Sequence, residues 1–396
     1  MLTKKDFLLD PNVIFLNHGS FGATPRVLHR VYQEWQERLE RQPVLFFREA
    51  PALLHDARSS LASYVGCDTN ELVFVVNSTY GVNVGVHALH LEPGDEVLTT
   101  DHEYGACEHA WKFYHEDRGV RMVRQHIPLP VPSKAELEEI IWAGVTERTK
   151  VLFLSHITSP TGIVLPVEGL IRRARERGIL TFIDGSHVPG HLDLDLHALG
   201  ADIYTANCHK WMCTPKGSAF LYVRKELEQI MDPLVVSWGW NGYPWKGAKI
   251  DPRFATGSYL TDTHEFLGTR DLAAFLTVPA ALAWMKEQNW PEVQRRAMEL
   301  RAYGVRALCT IPNVHPLFTQ EADDVLQMGM VLLPDVDTDA LKERLYDEHS
   351  IEVVVHRWLD RPILRFSVHA HTEQHDIDAL VRALGTELEI RRSSLL

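Results

Sequence analysis

The sequence predicts an α/β fold, with a mostly parallel sheet in a large domain and a smaller α+β domain at the C-terminal end. Two observations carry this expectation. From 71 to 224, short apolar runs of strand length alternate with segments of helical periodicity, the pattern of a sheet covered by helices. Several of these runs, such as TFI at 181–183 and VLFL at 151–154, are apolar throughout and end abruptly in polar residues, as strands buried on both faces do. In such a sheet the ligand crevice lies at the carboxyl ends of the strands, so the polar residues there are the first candidates for a site.

The chain of 396 residues has the length of about two domains. Its 45% hydrophobic residues allow a sizeable core and exclude a disordered chain. Acids outnumber Lys plus Arg by 53 to 40, for a formal charge of -13, and no basic block stands out, which argues against a nucleic-acid partner. Cys67, Cys107, Cys208, Cys213 and Cys309 are odd in number and scattered, so no disulfide framework is expected. The spacing around Cys208, His209 and Cys213 matches no common zinc pattern, and no metal is expected. No apolar run approaches the roughly 20 residues of a membrane span, and MLTKKDFLLDPNV lacks the pattern of a signal peptide. A cytoplasmic protein without a membrane partner follows as the expectation.

In chain order, NVIFLNHGSFGATP at 12–25 reads as a short strand passing into a Gly, Ser and Pro turn, followed by helices over 27–41 and 50–65. The strand ELVFVV then runs into Asn77, Ser78 and Thr79, where a small-residue helix begins. Unpaired helix amides, the macrodipole and two hydroxyls make this a cradle for an anion such as phosphate; an ordinary N-cap is the plainer use of the same residues. Gly81 and Gly85 let that helix pack closely. A strand over 96–100 leads into the polar cluster DHEYGA, with Asp101, His102, Glu103 and Tyr104.

Next come a strand over 121–127, a helix over 134–143, a strand ending at Ser155 and His156, and a helix over 167–177. TFID ends in Asp184, ADIYTANCHK ends in Lys210, and SAFLYVRKE reads as an added antiparallel strand. Segment 237–258, rich in Trp and Gly, reads as an irregular loop of the kind that carries function. The remainder reads as helices over 272–288 and 293–308, a strand over 327–333, a helix over 338–349, and strands around Glu352 and Ile363.

An acid and a lysine at neighbouring strand ends are what pyridoxal phosphate (PLP) requires. The lysine forms the Schiff base, and the carboxylate keeps the pyridine nitrogen protonated so that the ring acts as an electron sink. Asp184 and Lys210 are the candidates.

FLNHGSFGATP, DHEYGA, SHITSPTG, FIDGSHVPG and NCHKW together resemble class V aminotransferase-like enzymes, PLP-dependent proteins of fold type I, and within them the isopenicillin N epimerase-like group. The resemblance spreads over most of the chain and implies a seven-stranded sheet. It divides the chain into an N-terminal segment at 1–25 near the active site, a large PLP-binding domain at 26–262, a bridging helix at 263–290 and a small domain at 291–396. It implies an aromatic lid over the ring, for which His102 and Tyr104 both stand available. Tyr104 is favoured because its phenol can also handle a proton.

Further cofactor contacts implied are His187 or Thr158 near the ring hydroxyl, His209 beside Asn77, Ser78 and Thr79 at the phosphate, and Thr269 reaching a phosphate across a homodimer with shared active sites. Arg365 takes the place of the residue that grips the substrate carboxylate, which suits the planar, paired contact of Arg, with Asn17, His18 and Arg270 as secondary substrate-side candidates. The partner implied is a small-molecule amino-acid substrate, its side chain left open. The reaction expected is epimerisation, with Lys210 removing the α-proton and Tyr104 or His102 on the opposite face. A carbon–sulfur β-lyase of the ergothioneine-pathway type, a class V aminotransferase and a non-catalytic α/β protein are the alternatives. A cysteine desulfurase is disfavoured, because 351–363, IEVVVHRWLDRPI, contains no thiol.

Overall fold

The structure is a computed structural model that describes residues 2–240, 256–318 and 326–395, with side chains to 389. Most of the 237–258 loop, from 241 to 255, lies outside the described residues. A two-residue strand, β1 (Ile14–Phe15), opens the chain. The central sheet comprises β2 (Leu72–Val75), β3 (Glu96–Thr100), β4 (Arg121–Gln125), β5 (Thr149–Ser155), β6 (Leu180–Asp184), β7 (Ile203–Asn207) and β8 (Ala219–Val223). These seven strands lie in the order β2-β8-β7-β6-β5-β3-β4. Only β8 runs antiparallel to its neighbours. A second sheet holds β9 (His315–Pro316), β10 (Met328–Leu332), β12 (Val354–Trp358) and β13 (Arg361–Ser367) in the order β12-β13-β10-β9, while β11 (Ile351–Glu352) pairs with β1.

The unbroken apolar runs of the large sheet reflect burial on both faces. Leu72 and Phe74 of β2 enter one hydrophobic cluster and Val73 and Val75 the opposite one, as the two-residue alternation of a strand requires. Two helix boundaries differ from the sequence expectation, both at prolines. The helix expected from residue 50 begins at Pro43 and continues through Pro51; a proline there reads as a start because its missing N–H is harmless in a first turn. The helix expected over 272–288 is two pieces, Ala273–Leu276 and Val278–Glu287, because Pro279 cannot donate across the junction and sits instead in the first turn of the second piece.

Two close approaches set the crevice. The Ser78–Ala88 helix lies against the sheet where a Cβ on Gly81 would stand 2.1 Å from Thr205 Oγ1. Gly22, at φ +71°, brings the N-terminal turn within 2.1 Å of the His209 carbonyl, measured from its missing Cβ. The same segment ties the sheets together, since Ser367 N–H donates to Leu16 O and Lys216 Nζ to Gly22 O.

Gly81→Ala is expected to cost about 1–3 kcal/mol through overpacking. Thermal denaturation should show a midpoint lowered by several degrees, and an unchanged midpoint would mean that the helix does not rest on β7 as described.

Candidate active site

Strand register brings the first group together. Ser155 on β5 pairs with Asp184 on β6, which pairs with Thr205 on β7, and the chain runs five residues further to Lys210. All of these lie at the carboxyl end of the parallel strands. The Asp184 carboxylate is fixed from two sides: Ser186 donates to Oδ1 through its backbone N–H, at 2.9 Å, and its hydroxyl, while the Cys107 thiol donates to Oδ2 at 3.5 Å.

Lys210 is partly buried and its amine faces His187 Nε2 at 3.1 Å. On the other side of that imidazole, Trp211 Nε1–H donates to His187 Nδ1 at 3.2 Å. An indole can only donate, so Nδ1 is the bare nitrogen of a neutral His187 and the proton resides on Nε2. That N–H needs a lone pair opposite it, which favours Lys210 as an uncharged amine. Electrostatics agree: burial pushes the Lys210 ammonium down to about 8 against the pull of Asp184, with Arg365 adding to the fall. Burial first, then the Lys210 and Arg365 charges, hold His187 well below its ordinary value.

The phosphate side is built where β2 ends. Asn77 caps the Ser78–Ala88 helix by accepting from Tyr80 N–H, and Ser78 N–H donates to Asn207 Oδ1 at 2.9 Å, locking the helix start to the end of the lysine strand. Among the described residues the buried Ser78 hydroxyl has no hydrogen-bond partner, and Thr79 is half-buried beside it. His209 donates Nδ1–H to Ser218 O, leaving Nε2 uncommitted among its hydrogen bonds; burial lowers its pKa to about 4.

The substrate side comes from the small sheet. Arg365 on β13 is 5% exposed. Its Nη1 donates to the carbonyl of Ser159 and its Nη2 to Ser20 Oγ at 2.9 Å, while buried Nε has no partner among the described residues. Ser20 Oγ in turn donates to Asn17 Oδ1, and Asn17 Nδ2 to Glu352 Oε1, so Asn17 holds Arg365 at one remove. Burial brings the guanidinium down to about 10, opposed by Tyr104. Tyr104, 47% exposed at the N-cap of the Gly105–Tyr114 helix, therefore stands within electrostatic reach of Arg365.

Five sequence candidates are placed otherwise. His102 is fully buried, with Nδ1 2.7 Å from Thr161 Oγ1, Nε2 facing Ile127 O, and its ring centroid 4.0 Å from that of Trp358. It braces a loop among buried partners, whereas Tyr104 is half exposed at a helix start. Thr158 is also fully buried, its hydroxyl spent on Ile163 N–H and Thr161 Oγ1. His18 lies behind the lysine rather than before it: its Nε2 meets Lys210 O at 3.1 Å and its Nδ1 meets His371 Nε2 at 3.2 Å. Arg270 donates to Glu265 O and lies over Phe275, and Thr269 is exposed beside it; neither is held by Lys210, Asp184 or Arg365.

Sequence reading missed the parts that act through others. Trp211 and Ser20 stood in quoted motifs without a role. Glu103, in DHEYGA, accepts from Ser155 N–H and Oγ and from Thr100 Oγ1; burial raises it to about 7 despite those donors, with Asp184 adding to the rise. His18, His369 and His371 bring three nitrogens close enough for a metal. However, the His18 and His369 rings are stacked at 3.8 Å and 3°, so their in-plane lone pairs lie in parallel sheets and do not meet at one ion. Tautomers explain the contacts instead, with His371 donating to His18 and His18 to the lysine carbonyl.

These groups fit PLP. The orphaned Ser78 hydroxyl at a helix N-terminus suits a phosphate oxygen, Asp184 is a fixed carboxylate for a pyridinium, and the Lys210 amine is poised to condense with an aldehyde.

Comparison with known proteins agrees in extent and kind. The family model described as Aminotransferase class-V matches residues 21–380. The isopenicillin N epimerase of Streptomyces clavuligerus is 34% identical over 382 residues, covering 95% of each chain. A probable chloroplastic L-cysteine desulfhydrase of Arabidopsis thaliana is 28% identical over 331 residues, 76% of this chain and 66% of that one. A solved complex of the cystine C–S lyase C-DES with cysteine persulfide superposes with a TM-score of 0.79 at 22% identity, covering 95% of this chain and 98% of that one, and shares its fold.

The lowered pKa of Lys210 carries a stability consequence. The cost of burying its ammonium is fully present below about pH 8 and is relieved as pH rises toward the ordinary 10.5 of the amine. Without added PLP, Lys210→Met should melt higher than the parent protein at pH 7, and the gain should shrink between pH 8 and 10.5. A gain independent of pH would count against a buried amine.

Proposed function

Because the chain belongs to the aminotransferase class-V family, we propose that it is a PLP-dependent amino-acid epimerase, similar in reaction to isopenicillin N epimerase. Lys210 would hold the cofactor, with Asp184 at the ring nitrogen, His187 near the ring hydroxyl, and Ser78, Thr79 and His209 at the phosphate. Once bound, PLP withdraws electrons from the substrate's α-carbon and so acidifies its hydrogen. Arg365, with its Nε free, takes the substrate carboxylate in a planar contact. Lys210 removes the α-proton, its uncharged form favoured for that purpose by burial and by the His187 N–H. Tyr104 returns a proton on the other face, inverting the centre.

The single observation that carries this reading is that one buried guanidinium, Arg365, lowers the Lys210 ammonium and is itself raised by Tyr104, which brings two proton-bearing groups from different elements to one charge. A second reading, a carbon–sulfur β-lyase, is favoured by the likeness to the desulfhydrase and would use the same first proton transfer. An aminotransferase would use it too.

The assembly proposed is a cytoplasmic homodimer in which Thr269 serves the partner's phosphate end, with Arg270 nearby. Exposed Thr269 and five free cysteines are in keeping with it. No helix among the described residues is long and apolar enough to cross a membrane.

Added PLP should give a visible absorption band that borohydride fixes covalently at Lys210; a protein that stays colourless with PLP would remove the proposal. In deuterated water, epimerisation predicts α-deuterium with loss of chirality, whereas lysis predicts a 2-oxo acid and released sulfur. Tyr104→Phe should keep the band and lose turnover by about 10²–10⁴-fold, and full activity in that variant would refute the proton role of the phenol.

A further inference from the structure

His356 is absent from every group described so far, yet it shares a face of the small sheet with Arg365. On the β12–β13 ladder, Val354 pairs with Arg365, His356 with Ile363 and Trp358 with Arg361. Directly opposed residues share a face and alternate residues along a strand return to it. His356 thus projects from the face that carries Arg365. That face is pinned toward the large sheet at both ends: Trp358 Nε1 donates to Asp101 O at 3.3 Å and its ring meets His102, while Arg365 reaches Ser159 and Ser20.

Both ring nitrogens of His356 are buried, and neither has a hydrogen-bond partner among the described residues. Buried polar atoms are nearly always satisfied, and one that is not calls for an occupant. The Arg365 charge falls on this imidazole, and together with burial, the larger cause, it lowers the pKa to about 4. The ring is therefore neutral near pH 7, presenting one N–H donor and one bare nitrogen acceptor.

We infer that His356 forms the side-chain subsite for the amino-acid substrate whose carboxylate Arg365 holds, and that it selects an uncharged side chain able both to donate and to accept a hydrogen bond, such as a carboxamide. This rests on the reading of the site as that of a PLP-dependent amino-acid enzyme. An alkyl side chain of the same shape leaves both nitrogens unpaired and is rejected for that reason.

Asparagine and leucine are nearly isosteric, and they test the inference as ligands of the PLP-loaded protein, with affinity read from the change in the visible band. The parent protein should bind asparagine more tightly than leucine by roughly tenfold or more. His356→Leu should erase that difference by weakening asparagine alone, and His356→Gln, which keeps a donor and an acceptor, should restore much of it. Equal weakening of both ligands by His356→Leu, no effect on either, or tighter binding of leucine by the parent protein would overturn the subsite. The absence of any band with added PLP overturns the underlying reading of the site, a result distinct from a normal band with no preference for asparagine.

Discussion

The donor-only indole of Trp211 is the constraint on which the centre depends. Its hydrogen bond to His187 Nδ1 settles where the imidazole proton lies, and that proton settles which form of Lys210 fits beside it. A ring free to exchange tautomers would accept from an ammonium as readily as it donates to an amine, and the lysine would then hold its proton more firmly. The choice is made one residue beyond the lysine, so the same short turn presents the nucleophile and sets its protonation state. Behind the turn, His18 donates to the Lys210 carbonyl and the Gly22 turn presses on the His209 backbone.

The same logic of support from behind recurs at the other end of the site. Arg365 is held by Ser20 and Ser159, and Ser20 by Asn17, which reaches Glu352. The N-terminal segment thereby contacts the lysine turn and Arg365 at once. It serves as the common support of two sheets, and a change there would be felt at both.

Much of this was legible in the sequence, and the limits have physical causes. The alternation of buried strands with helices, the antiparallel β8 and the strand-end positions of Asp184 and Lys210 follow from period and polarity, which are local properties. Gly81 and Gly85 announced close helix packing because only a missing Cβ permits it. What could not be read were contacts between distant segments. His102 and Tyr104 are two residues apart and chemically interchangeable as a lid, and only the placement of Trp358, over 250 residues later, commits His102 to the interior. Thr158 looked free because its loop partners, Ile163 N–H and Thr161, are set by a turn and not by spacing. His356 lay in a segment scanned for thiols; its position depends on a strand register that a single sequence does not display.

The residues proposed to handle protons and those proposed to meet the substrate reside on different sheets. Lys210, Asp184 and His187 belong to the ends of β6 and β7, whereas Arg365 and His356 are carried by the β12–β13 hairpin. Such a division is a form of modularity. Sequence drift confined to one edge hairpin can change what is recognised without disturbing the machinery of proton transfer, and a hairpin transplanted from a relative would be a natural unit for redirecting the enzyme to a new substrate.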